Sequence, residues 1–241
     1  MILLRVRSTK NGKIRFASHR DIAKVWERAF RRAKIPLIYS EGFSPRPKIA
    51  FGLALPTGAE SECEYLDVKV DDERITTSQI LEIPELITKL LPEGMKVTGM
   101  TEIDSKAISL QQAVTSCLWE LIVQEDKEIV DTWICDVTGS KELVVERDRK
   151  GKSVVDDIRP FINDISESVV NEEGHVVLNA ELRTQPRSLR PSEFLKSKQP
   201  YLTQLNLRRK RQFIDTGDRR LDPLEVGRSL EANMELSLIH I

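Results

Sequence analysis

Apolar positions recur at three- and four-residue steps from residue 19 to residue 34, where Ile22, Val25, Trp26, Ala29, Phe30 and Ala33 form one stripe, so an amphipathic helix is predicted there. Ser18 precedes it as an N-cap and Asp21 places an acid in its first turn, while Pro36 stops it. Strict alternation marks strands. Leu4 and Val6 alternate with Arg5 and Arg7, which predicts a first strand with one wet, basic side. Leu66, Val68 and Val70 alternate with Tyr65, Asp67 and Lys69 over residues 64–70. Between them, Asn11-Gly12 signals a hairpin turn with residues 14–16 continuing or pairing with the first strand, followed by short strands over 37–39 and 48–54. A helix over about 77–91, interrupted by Pro84, and a closing strand over 96–103 complete the first half.

The polar stretch 104–112 is the expected linker, after which the pattern starts again. Strands are predicted at 117–124, 143–146 and 175–183, and helices at 126–135, 155–165 and from Arg190-Pro191 to Pro200. A final segment, 205–214, contains the basic block Arg208 to Arg211. The order strand, helix, strand, strand, helix, strand predicts an α+β fold of two tandem ferredoxin-like, split β-α-β units with antiparallel sheets, at 1–104 and 113–214, with 215–241 as a tail. On this plan the sheet face opposite the helices is free. Residues 236–241, LSLIHI, resemble a translated sequencing adapter and are set aside, His240 with them; on that reading the native C-terminus lies elsewhere.

Charge changes the picture locally. The 241-residue chain has a formal net charge of −1, yet residues 1–50 hold thirteen Lys and Arg against three Asp and Glu. Arg20, Lys24, Arg28, Arg31 and Arg32 share one flank of the first helix. A solvated helix face is the plain explanation; a polyanion site is the functional one. Downstream, Pro45 and Pro47 stiffen the loop that carries Arg46 and Lys48, which suits contact with an anion. Gly42 permits a turn, and Phe43 is either a core plug or a stacking surface, the plug being favoured because aromatics make up only 5% of the chain.

Ser18-His19-Arg20-Asp21, Glu27-Arg28-Ala29, Arg32-Ala33, Tyr39-Ser40-Glu41-Gly42-Phe43, Pro45-Arg46-Pro47-Lys48, Leu55-Pro56, Gly58 and Glu64-Tyr65 with Asp67 together carry a resemblance. The run resembles the N-terminal signature of the bacterial radical-SAM-linked proteins, a domain of unknown function found beside or fused to B12-binding radical SAM proteins. Weaker similarity continues through 157–160 and 190–195 towards residue 214; Ile22 and Ser44 replace the Leu and Asn common in that family. The resemblance implies a radical SAM protein as partner, and it supplies no activity.

Several chemistries have no sequence support. There is no CxxxCxxC cluster motif, no glycine-rich phosphate loop and no HExxH, so no cofactor and no metal site are expected and the chain would be an accessory polypeptide. Cys63, Cys117 and Cys135 lack metal-ligand spacing and read as buried small hydrophobes in a reducing cytoplasm. No apolar run approaches a membrane span. Ser18, His19 and Asp21, as neighbours on a helix start, cannot form a triad. His19 could act as a general acid or base beside phosphate, with Glu41 as the other weak catalytic candidate, but packing at the helix start is the plainer role. The leading expectation is therefore a non-catalytic partner of a radical SAM enzyme that binds RNA or presents an anionic substrate. An RNA-processing enzyme using His19, and a protein–protein adaptor, are the alternatives.

Overall fold

The computed structural model describes residues 1–149 and 151–226, in two compact units: residues 1–114 with 213–226, and the described residues of 115–212. The order is β1 (Ile2–Lys10), α1 (His19–Arg32), β2 (Ile49–Phe51), β3 (Glu60–Val70), α2 (Thr77–Thr88), β4 (Val97–Ile103), α3 (Leu110–Ala113), β5 (Ser116–Val123) and α4 (Lys127–Gly139). It continues with β6 (Val144–Arg149), β7 (Lys152–Asp157), β8 (Ile162–Ile165), β9 (Val169–Val170), β10 (Val176–Arg183), α5 (Pro191–Phe194), β11 (Gln204–Asp215) and β12 (Arg220–Leu221). The fold is α+β with a mostly antiparallel sheet. Among the described residues no helix is long and apolar enough to cross a membrane.

In the first unit β1 lies between β3 and β4, and β2 pairs on the far side of β3, every pairing antiparallel, giving the order β4-β1-β3-β2. Ile22, Trp26, Ala29 and Phe30 of α1, with Ile80, Ile83 and Ile87 of α2, bury against Leu4, Val6, Leu66 and Val68. The predicted stripe of α1 is thus the one that faces the core. Its start is the predicted one as well: Ser18 Oγ accepts from the Asp21 amide at 3.2 Å and donates to Asp21 Oδ2 at 2.7 Å. Its end is set by backbone bonds rather than by Pro36 alone. Lys34 adopts φ +56°, its amide bonds Arg31 O at 3.1 Å, and the Ile35 amide reaches back to Phe30 O at 3.2 Å, a Schellman stop made without glycine.

Three local expectations give way here. Residues 12–16 form a 3-10 helix and not a hairpin arm, because Gly12 (φ +66°) turns the chain and Asn11 bonds to Gly94 instead. Residues 37–39 make only isolated bridges, Leu37 to Val70 and Tyr39 to Pro47. The strand predicted at 48–54 shrinks to the three residues of β2.

The sheet face opposite the helices is covered, contrary to expectation. Residues 222–224 lie on it: Arg5 Nη1 donates to Pro223 O at 3.2 Å, and Arg7 Nη1 meets Asp222 Oδ2 at 3.1 Å. Tyr65 Oη donates to Asp222 at 2.9 Å. Leu224 sits where a Cβ on Gly99 would be, 2.6 Å away, so the glycine makes room for the segment. The first strand therefore has no wet side. Arg5 is 1% exposed and holds Asp67, its cross-strand partner, through Nε to Oδ1 at 2.8 Å and Nη2 to Oδ2 at 2.9 Å. The tail expected after residue 214 thus begins as part of the first unit.

Burial, reinforced by the charge of Asp222, raises the Tyr65 phenol well above its ordinary 10.0. Below pH 10 folded and unfolded chains both keep this proton. Above it the unfolded chain releases a proton that the folded chain retains, so stability should fall with rising pH by about 1.4 kcal/mol per unit. Absorbance at 295 nm should show one of the three tyrosines resisting titration until the chain unfolds; full titration of all three before unfolding would contradict the buried hydrogen bond.

In the second unit β10 pairs antiparallel with β5, β8 and β9, and the order is β11-β5-β10-β8, with β6 and β7 as a separate hairpin. The helix predicted at 155–165 is absent. Val154, Val155, Ile158 and Ile162 match a helical spacing, but residues 144–149 pair with 152–157 through the Gly151 turn, and a 3-10 turn at 159–161 leads into β8. The helix expected after Arg190 is only the four residues of α5. Residues 236–241 lie outside the described residues.

Candidate anion-binding surface

A regular helix turns 100° per residue, so Arg20, Arg31, Lys24, Arg28 and Arg32 fall within an arc of about 120° on α1, opposite the buried stripe. All five are exposed, and none has an acidic partner among the described residues. The one acid inside the arc, Asp21, is held by Ser18 at the cap. Arg31 and Arg32 sit in the last turn, where the helix carries its partial negative charge, and so they are accommodated without counterions.

Three residues beyond Ile35 the chain enters a second basic element. Ile38 and Lys48 pair through Lys48 N to Ile38 O at 2.8 Å, and Ser40 and Arg46 through Ser40 N to Arg46 O at 2.8 Å. Ser40 Oγ accepts from the Arg46 amide at 3.0 Å as well. Residues 38–48 are thus a closed hairpin whose tip is Glu41-Gly42-Phe43-Ser44-Pro45, with Gly42 at φ +117°. Its base is tied to β3, since the Ile38 amide bonds Lys69 O at 2.9 Å and the Lys69 amide bonds Lys48 O at 3.1 Å. Arg46 and Lys48 are exposed on one arm, without acidic partners, and Tyr39 is 48% exposed on the other. Phe43 corrects the sequence reading. It is no core plug but stands fully in solvent at the tip, because the cross-bonds of Ser40 and Arg46 hold the tip away from the apolar cluster.

His19 is exposed at the start of α1 with its ring edge-on to Phe51, centroids 5.1 Å apart and planes at 83°. The two rings border a pocket of about 40 Å³ that Lys10, Trp26, Glu64 and Tyr65 also line. Lys10 is buried with Nζ donating to Ala17 O at 3.0 Å; burial lowers its pKa, and the charge of Glu64 opposes that shift. This volume holds water-sized groups only. No hydrogen bond or ion pair joins His19 to Glu41, which lies at the hairpin tip. Glu64 was visible only as part of the family motif and Lys10 escaped the sequence reading, its one signal being a charged residue at the end of a strand that is otherwise buried.

Along β11 most of the cations are engaged. The block 208–211 is not a patch: Arg209 is 2% exposed with its guanidinium 4.8 Å from the Trp119 ring, while Arg208 and Lys210 meet Glu120 at 3.2 and 4.0 Å. Alternation along β11 sends its charges to opposite faces. Cys63 and Cys117 are buried as expected, whereas Cys135 is exposed on the outer side of α4.

Fold and site together define an α+β protein with an exposed cationic helix and an adjoining aromatic-tipped hairpin. Residues 3–191 match the family described as an uncharacterized protein conserved in bacteria, DUF2344, and the chain belongs to that family. No curated protein matches it significantly. Among solved structures it is similar, at 8% identity and a TM-score of 0.46, to a chain of the "Crystal Structure of a Cbf5-Nop10-Gar1 Complex". That match covers 87% of this chain and 48% of the other, so this chain spans less than half of that protein's length.

Proposed function

We propose that this protein binds RNA through the cationic arc of α1 and the 38–48 hairpin, as the non-catalytic partner of a radical SAM enzyme to which it presents an anionic substrate. One observation carries the binding part. Arg20, Lys24, Arg28, Arg31, Arg32, Arg46 and Lys48 are all exposed without an acidic partner, whereas Arg5, Arg7, Arg15, Arg147 and Arg187 each hold a carboxylate. Like charges gathered on a surface repel one another and add nothing to folding, so a ligand that supplies the countercharge accounts for them. Phe43 and Tyr39 add faces on which unpaired bases can stack, which favours a single-stranded or looped segment over a duplex. The radical SAM partner rests on the SHRD and EGFSPRPK motifs, and the repeated strand order is read as two ferredoxin-like units in tandem.

The test is fluorescence anisotropy of a labelled single-stranded RNA at several salt concentrations. Arg46→Ala with Lys48→Ala removes two phosphate contacts and should flatten the plot of log affinity against log salt by about 1.4. Phe43→Ala should weaken binding by about 1–3 kcal/mol with little change in that slope. Binding that ignores all three changes would refute the proposal.

A further inference from the structure

The second unit holds a cavity of about 740 Å³ that the proposed RNA surface does not involve. Arg147, Arg187, Arg190, Lys196, Ser192 and Tyr201 line it, and its volume is that of a small-molecule site. Its charges are only partly balanced. Arg147 Nε and Arg187 Nε share one carboxylate oxygen of Asp156, at 2.6 and 3.4 Å. Arg187 also donates from Nη1 to Glu193 Oε2 at 2.8 Å and lies 5.0 Å from the Phe161 ring centroid. Its remaining nitrogen, Nη2, is buried with no hydrogen-bond partner. Arg190 and Lys196 are exposed on the same wall and have no acidic partner among the described residues. Of the wall's own carboxylates, Glu193 is taken by Arg187 and Glu146 accepts from Ser153.

We propose that this cavity binds a phosphate-bearing small molecule of nucleotide size, its phosphates on Arg190, Lys196 and the Ser192 hydroxyl and its ring against Tyr201. Guanidinium and ammonium donors beside a serine hydroxyl recognise phosphate oxygens, and the fork geometry of arginine suits them. Inorganic phosphate alone would leave most of the volume empty. Val144 and Tyr201, 53% and 52% exposed, supply the half-apolar surface on which a heterocycle settles.

Isothermal titration of the full chain with ATP, AMP, adenosine and inorganic phosphate tests this. Both nucleotides should bind saturably and adenosine should not, with inorganic phosphate a weaker competitor. Arg190→Ala with Lys196→Ala should weaken nucleotide binding by about tenfold or more, the worth of a charge-assisted hydrogen bond, at an unchanged melting temperature. Arg46→Ala with Lys48→Ala should leave it intact, which separates this site from the RNA surface. The proposal is overturned by absence of binding at millimolar nucleotide, or by inorganic phosphate binding as tightly as ATP. Binding that survives loss of Arg190 and Lys196 but not of Arg46 and Lys48 overturns it equally.

Discussion

Asp67→Ala is expected to cost about 3–5 kcal/mol, because it strands the Arg5 guanidinium between the sheet and residues 222–224 with no countercharge. At 1% exposure that side chain cannot swing into water without displacing what covers it. Pro223 O still accepts one hydrogen bond, but a single carbonyl does not neutralise a cation. For a protein whose whole stability is of the order of 5–15 kcal/mol, the loss is a large share. Urea unfolding followed by circular dichroism measures it. Replacing both partners, Arg5→Met with Asp67→Leu, should recover most of the loss, since an apolar pair of similar volume has no desolvation penalty to offset. A cost below about 1 kcal/mol for Asp67→Ala would mean that the guanidinium reaches solvent, which the covering segment forbids.

Trp133→Ala should be comparably severe in the second unit, at about 3–5 kcal/mol for an aromatic-to-alanine change in a core. Trp133 is 1% exposed and meets Phe194 edge to face, with centroids 5.1 Å apart and planes at 83°. Its indole Nε1 donates to Lys198 O at 3.1 Å. One side chain on α4 thus holds both α5 and the segment after it, which carry Glu193, Lys196 and Tyr201 of the cavity. Trp133→Phe separates the two contributions. It keeps most of the ring contact and orphans only the Lys198 carbonyl, so it should cost about 1–3 kcal/mol. Thermal unfolding monitored by intrinsic fluorescence distinguishes the two variants, and equal costs would show that the hydrogen bond, not the packing, holds the segment.

Some of this architecture follows from local chemistry. The α1 stripe, its Ser18 cap and the alternation of Leu66, Val68 and Val70 are visible in the chain because helical and extended backbones impose their own periods on whatever face is buried. The exposed cations of α1 follow from the same geometry, for a helix with one apolar stripe must present the rest to water. Failures concentrate where a distant segment decides the environment. Residues 155–165 show an apolar spacing compatible with a helix, and only pairing with distant strands, β6 for 155–157 and β10 for 162–165, makes its two ends extended. Phe43 has the composition of a core residue and the position of a hairpin tip.

By itself, then, the sequence determined which residues are helical or extended over the long periodic stretches, where the positive charge gathers, and the order in which the main elements of the first unit follow. Tertiary structure alone decided that Arg5 is buried while Arg46 is not, that residues 222–224 cover the sheet, and that Arg147, Arg187, Arg190 and Lys196 share a wall. The physical reason is that period and capping act within a few residues, whereas burial of a charged group depends on what lies across it, and Asp67 and Pro223 stand 62 and 218 positions from Arg5.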